Sequence, residues 1–434
     1  MLMTKAYQFT GVLVALTCFS VSFADDSVQL IDPNKSNDSQ AEEVDPLLTL
    51  VDKAIDTTSK RYLTAGRHTP WQIMHGILAL RDRFEVRMDG KKTSALKWIQ
   101  DVPNFRGKPL VLKTNTGGQF HPYTQPYDFQ GHPCQFLAIL TMSQLPMDFE
   151  FRTENGKLTL ADVVETAKAN INDQEEITWA LWALSHFVGP DADWTNKNGE
   201  AWSVERLVKL QIEDEPTEAA CGGTHGLFAL AYARNGYIHT ERPLRGVWLE
   251  ADMKIRRYVE MAKSLQNSDG SFSSNHFGGP GYTQDFSDRL AAAGHTMEFL
   301  MMALPQPKLN EDWVRRGVEQ VANDLIENRN VPVKCGPLYH GLHGLVIYKE
   351  RMQPVNVTLD SNIEPAETDV AETTEPVEAE TVTEELPEEE PAEEVVADDA
   401  SEEAETDEVA ERPAETTEEP VQRTAEKISD QAEL

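Results

Sequence analysis

The sequence predicts an all-α fold, an (α/α)6 toroid of six helical hairpins, and three observations carry that expectation. A short apolar block recurs six times, beginning at His75, Cys134, Trp179, His225, His295 and His340. Successive blocks start 59, 45, 46, 70 and 45 residues apart, a spacing suited to a repeated helical hairpin. Between blocks lie amphipathic stretches, residues 158–170, 203–213, 249–265 and 311–327, with apolar residues three and four apart. Period-two alternation long enough to mark a strand is almost lacking. Blocks that are apolar all round suit inner helices, one-sided stretches suit outer ones, and a closed ring of hairpins satisfies both.

Taken in order, residues 1–24 read as a secretory signal peptide. Lys5 stands in the basic region, an apolar run starts at Gly11, and Ser22-Phe23-Ala24 offers small residues for cleavage. The chain is therefore expected to be exported, to the periplasm, the cell envelope or the medium. Residues 25–45 hold seven acidic side chains, one Lys and Pro33, and read as an acidic linker. Residues 46–353 are close to neutral and form the expected folded domain. Two long connections interrupt its helices, 102–132 and 266–290, and loops of that length in a compact domain often carry function.

The charge sits at the end of the chain. Of a net −34, residues 354–434 hold 29 acidic and 3 basic side chains, leaving −8 on residues 1–353. This Glu/Thr/Pro-rich segment has no aromatic residue and no Gly, Cys or His, so it is expected to be a disordered, low-complexity tail. Net acidity argues against nucleic acid as partner, because such binding needs a basic footprint. No run of about 18 apolar residues occurs, which argues against a membrane-spanning protein. A small molecule, a glycan or an envelope protein remain as partners.

Past the signal, Cys134, Cys221 and Cys335 form an odd set, compatible with one disulfide and one thiol or with three buried thiols. The leading positions of the six blocks hold four of the chain's eleven histidines: His75, His225, His295 and His340. If the inner helices run parallel, these side chains and nearby His343 gather at one mouth of the central cavity, where Trp179 and Trp182 could stack a ligand. The alternative is a repeated packing habit, each imidazole bonded to a neighbouring backbone carbonyl and each indole part of the core. Cys221 and Cys335 precede His225 and His340 by four and five residues, which admits a zinc site of N and S ligands. Asp285 and Asp288, three apart, fit either an acid–base pair or a helix start.

Two resemblances add to this. Gln266-Asn267-Ser268-Asp269-Gly270-Ser271-Phe272 resembles the QW-type turn of the terpenoid cyclase and protein prenyltransferase superfamily, whose members are α/α toroids; the fold implied covers residues 46–353. The family's Asp-x-Asp-Asp and Asp-Asp-x-x-Asp acids do not occur, so cyclase chemistry is not implied. Tyr339-His340 is similar to the Tyr-His pair of the prenyltransferases, which would make His340 and Cys221 zinc ligands, with Ala219 where that family has Asp. Gly294-His295-Thr296-Met297-Glu298-Phe299 is similar to a segment of the N-acylglucosamine 2-epimerases, (α/α)6 barrels using two histidines as acid and base. That likeness implies His295, with Glu298 one turn on, for proton transfer on a carbohydrate, and a second rim imidazole, for which His225 is a candidate, would act with it. The sequence thus leaves a ligand-binding toroid with a His-lined cavity beside a carbohydrate-active enzyme.

Overall fold

The computed structural model describes residues 45–353, apart from 102–103, 123–126 and 155. The expected signal peptide, all of the linker but Asp45, and the acidic tail lie outside the described residues. Those described are mostly helical, with twelve α-helices: α1 (Pro46–Ser59), α2 (Pro70–Leu80), α3 (Ala95–Asp101), α4 (Gln135–Thr141), α5 (Leu160–Asn170), α6 (Thr178–Phe187), α7 (Val204–Glu213), α8 (Thr224–Ile238), α9 (Val247–Ser264), α10 (Phe286–Ala303), α11 (Asp312–Glu327) and α12 (Cys335–Met352).

All six apolar blocks fall on even-numbered helices. Every residue of α2 and of α4 is buried. In sequence α2, α4, α6, α8, α10 and α12 each pack against the next, and α12 packs back against α2. The four amphipathic stretches fall on α5, α7, α9 and α11, each half-buried along one stripe. At the seam α1 packs on α11 and α12, and the Arg61 guanidinium donates to the Val331 carbonyl (2.8 Å). The closest inner contact is α10 on α12, where an added Cβ on Gly294 would stand 2.6 Å from the Gly341 backbone nitrogen.

The expectation of an all-helical domain needs a correction. Ten short strands form five antiparallel hairpins: β1–β2 (Glu85–Met88, Lys91–Ser94), β3–β4 (Asn104–Phe105, Lys108–Pro109), β5–β6 (Val111–Thr114, Gly117–Phe120), β7–β8 (Glu150–Thr153, Gly156–Thr159) and β9–β10 (Asp193–Thr195, Ala201–Ser203). Strands of two to four residues are too short to show a period of two. Three of the hairpins lead into an outer helix. Thr159 Oγ1 accepts from the Asp162 amide (3.2 Å) to start α5, and Ser203 Oγ accepts from the Arg206 amide (3.1 Å) to start α7, as N-caps do.

The Gln-x-x-x-Gly-Ser-Phe turn plays a structural part. Gly270 has φ +91°, and a Cβ there would meet the Arg316 carbonyl oxygen at 2.8 Å, so only Gly fits. Gln266 Nε2 donates to Gly270 O (2.9 Å) and Trp313 O (2.8 Å), tying the loop to the first turn of α11. Asp285 Oδ1 accepts from the Asp288 amide (2.9 Å) as the N-cap of α10, the helix-start reading of that pair.

Candidate functional site

Inner helices that pack in a closed sequence bring their leading residues together. The His295 and His340 ring centroids lie 3.9 Å apart, His225 and His295 4.6 Å, His75 and His340 5.1 Å, and His225 and His340 5.8 Å. Trp179 lies 4.8 Å from His225 and 5.7 Å from Trp182. Five of the six leading positions thus meet in the core; Cys134, the sixth, lines a neighbouring cleft.

Glu298 organises the group. It is 6 % exposed, and its carboxylate meets His340 Nδ1 at 2.8 Å and His343 Nδ1 at 2.6 Å. Burial pushes this carboxyl up, but the neighbouring His340 and the contacts from three imidazoles outweigh that and hold it well below the usual carboxylate range. An ionised carboxylate accepts, so Nδ1 of His340 and Nδ1 of His343 donate to it. His295 Nδ1 is 3.5 Å from Glu298 Oε2, too far for a formed hydrogen bond.

Burial favours the neutral form of four of the imidazoles, His75, His225, His295 and His343. Burial first, and the neighbouring His340 second, push His75 down to about 3 and His295 down to about 4. His225 is driven well below its ordinary value by burial and then by His295, and burial lowers His343. Of these, His75 alone matches the packing habit, Nδ1 donating to the Trp71 carbonyl at 2.7 Å. His225 Nε2, His295 Nδ1, His343 Nε2 and the indole nitrogens of Trp179 and Trp182 are buried with no hydrogen-bond partner. Native cores seldom leave so many polar atoms unsatisfied in one place.

The space among them is small. A cavity of about 10 Å3 is walled by Trp179, Trp182, His225, His295, Glu298 and His340, room for a single water or ion. Ligand atoms of His295, Glu298 and His340 lie within 4.8 Å of one another, and so do those of Cys221, His225 and His295. Cys221 and His340, paired by the prenyltransferase likeness, fall in two groups that share His295.

No protein-family model, curated protein or solved structure matches this chain. The site is read from its own geometry.

Backbone strain marks its entrance. Cys221, Gly222 and Gly223 are consecutive left-handed residues (φ 51°, 61° and 70°), and strain at a non-glycine is a feature of functional turns. The turn aims His225 between the core cavity and an outer cleft of about 500 Å3, whose lining includes Asp173, Glu175, Glu176, Asp214 and Glu218. Two groups near this entrance escaped the sequence reading. His132 Nδ1 contacts Glu176 Oε2 at 2.5 Å, its ring 5.4 Å from Trp179. His276 packs on Gly222, and burial pushes it down to about 4. Each lies in one of the two long connections; no repeat marks either.

Proposed function

We propose that the chain is an exported (α/α)6 toroid whose core binds one divalent first-row transition-metal ion, zinc foremost, through His295, Glu298 and His340. The observation that carries this reading is the ion-sized cavity ringed by unpartnered imidazole nitrogens and a buried carboxylate. The toroid is supported by the closed sequence of inner-helix contacts and by the superfamily likeness at residues 266–272.

The chemistry of the donor set fits. Zinc accepts two imidazoles and a carboxylate with an open fourth position. Burial favours the neutral form of His295, the form in which an imidazole ligates a metal. A buried carboxylate is costly unless cationic groups or a bound cation compensate it. His343 orients Glu298 from behind, Trp179 and Trp182 exclude water, and His225 faces the acidic cleft, with Cys221 as a further donor beside it. A bound metal supplies Lewis-acid character to whatever enters from that cleft. The carbohydrate reading needs room for a sugar beside His295, whereas the cavity there, about 10 Å3, is of the size of an ion.

Elemental analysis of the chain purified without chelators tests the proposal. Close to one metal per chain is expected, lost in His295→Ala and His340→Ala with helical circular dichroism retained, and largely kept in Cys221→Ser. A metal-free parent chain that takes up none on titration with zinc would overturn it.

A further inference from the structure

On the face where α8, α10 and α12 end, a groove of about 720 Å3 opens between those ends and the side of α9. Its apolar lining includes Ile238, Leu244, Ile255 and Met302, and Ile238 is 43 % exposed. Four cations line it, Arg234, Arg256, Lys308 and Arg351, against two acids, Asp252 and Glu260. Asp252 is already taken by Arg234 and Arg256, at 2.6 Å each. Arg351 has no carboxylate partner among the described residues. It donates to the Met301 carbonyl, and burial and then Arg234 push it below its ordinary value. A half-buried guanidinium beside a second one, with only a neutral acceptor, is a place for an anion.

We infer that this groove is the seat of the first stretch of the chain's own C-terminal segment, residues 355–364, with Val355, Val357 and Leu359 on its apolar floor and Asp360 and Glu364 against Arg256, Lys308 and Arg351. Three observations select this occupant. Segment and groove adjoin: Arg351 lines the groove and Gln353 ends the described chain, while ten extended residues reach about 33 Å. The charges are complementary, since the groove has two cations more than acids and residues 354–434 carry 29 acids against 3 bases. The pattern fits as well. Val355, Val357 and Leu359 alternate as an extended strand does, with Asp360 directly after them and Glu364 four residues further on.

Photocrosslinking in the full-length chain tests this, with benzoylphenylalanine replacing Glu260 on the groove wall. The expected product links position 260 to the peptide spanning 355–364 within one molecule, so a mixture of light and isotopically heavy chains gives no mixed pairs. Yield should fall several-fold in Arg256→Glu/Lys308→Glu and at 0.5 M salt, a screening of the order expected for exposed charges. The Asp360→Lys/Glu364→Lys chain, altered outside the helical domain, should lose it equally and guards against misfolding of the groove variant. Crosslinks that map elsewhere, that join light to heavy chains, or that survive both charge reversals would overturn the assignment. Mixed pairs would mean a second copy occupies the groove.

Discussion

At the residue scale Glu298 matters most, because among the described residues it is the only carboxylate in contact with His295, His340 and His343. Removing one member of a buried charged network leaves the others unpaired, at about 3 kcal/mol or more. Glu298→Leu should therefore lower the urea midpoint markedly and abolish metal binding, whereas Glu298→Gln should largely fold and still lose the metal. The depressed imidazoles fix the acid limb of stability. His75, at about 3, and His295, at about 4, stay neutral in the fold while the unfolded chain protonates near 6.5. Below about pH 6.5 the unfolded state binds more protons, so stability falls as pH falls and flattens only near the folded values. Metal-free chain should lose about 2 kcal/mol per such histidine between pH 6.5 and 5. Urea midpoints across that range check this; a flat profile would mean the imidazoles are not neutral in the fold.

At the scale of elements, two glycines in inner helices make a controlled pair. Gly294 faces the backbone of α12 at 2.6 Å, while nothing lies within 4 Å of a Cβ on Gly236 in α8. Gly294→Ala should destabilise by more than about 2 kcal/mol through forced separation of α10 and α12, and Gly236→Ala should stabilise by about 0.5 to 1 kcal/mol. Equal effects in thermal melts would contradict the close helix contact. Capping is testable on α7, where Ser203→Ala should cost about 1 kcal/mol. The inner and outer helices were legible in the sequence because burial all round and burial on one side leave different patterns. The hairpins were written there too, in turn residues rather than periodicity: Asp89-Gly90, Gly156 and Asn198-Gly199 stand at hairpin turns, each shortly before a helix-starting Ser or Thr. Their Gly residues have φ of 77°, 125° and 82°. The clustering of His75, His225, His295 and His340 was legible from their shared place in the repeat. That Glu298 bonds both His340 and His343 was not, since it depends on how far α10 is turned against α12.

At the scale of the whole molecule, contacts that run from α2 through α12 and back to α2 make each inner helix depend on two neighbours. Amides of α2, α6 and α12 should therefore exchange with a common opening free energy; well-separated values would contradict that dependence. The packing of α12 on α2 also explains how residues 265 positions apart in sequence, His75 and His340, share one site. Whether that site holds a metal is the central claim. Diffraction from zinc-soaked crystals of the full chain, recorded above and below the zinc edge, tests it most directly. The account predicts an anomalous peak at about 2.0 to 2.2 Å from a nitrogen of His295, a nitrogen of His340 and an oxygen of Glu298. Zinc bound elsewhere on the chain, with no anomalous signal among these three side chains, would contradict it.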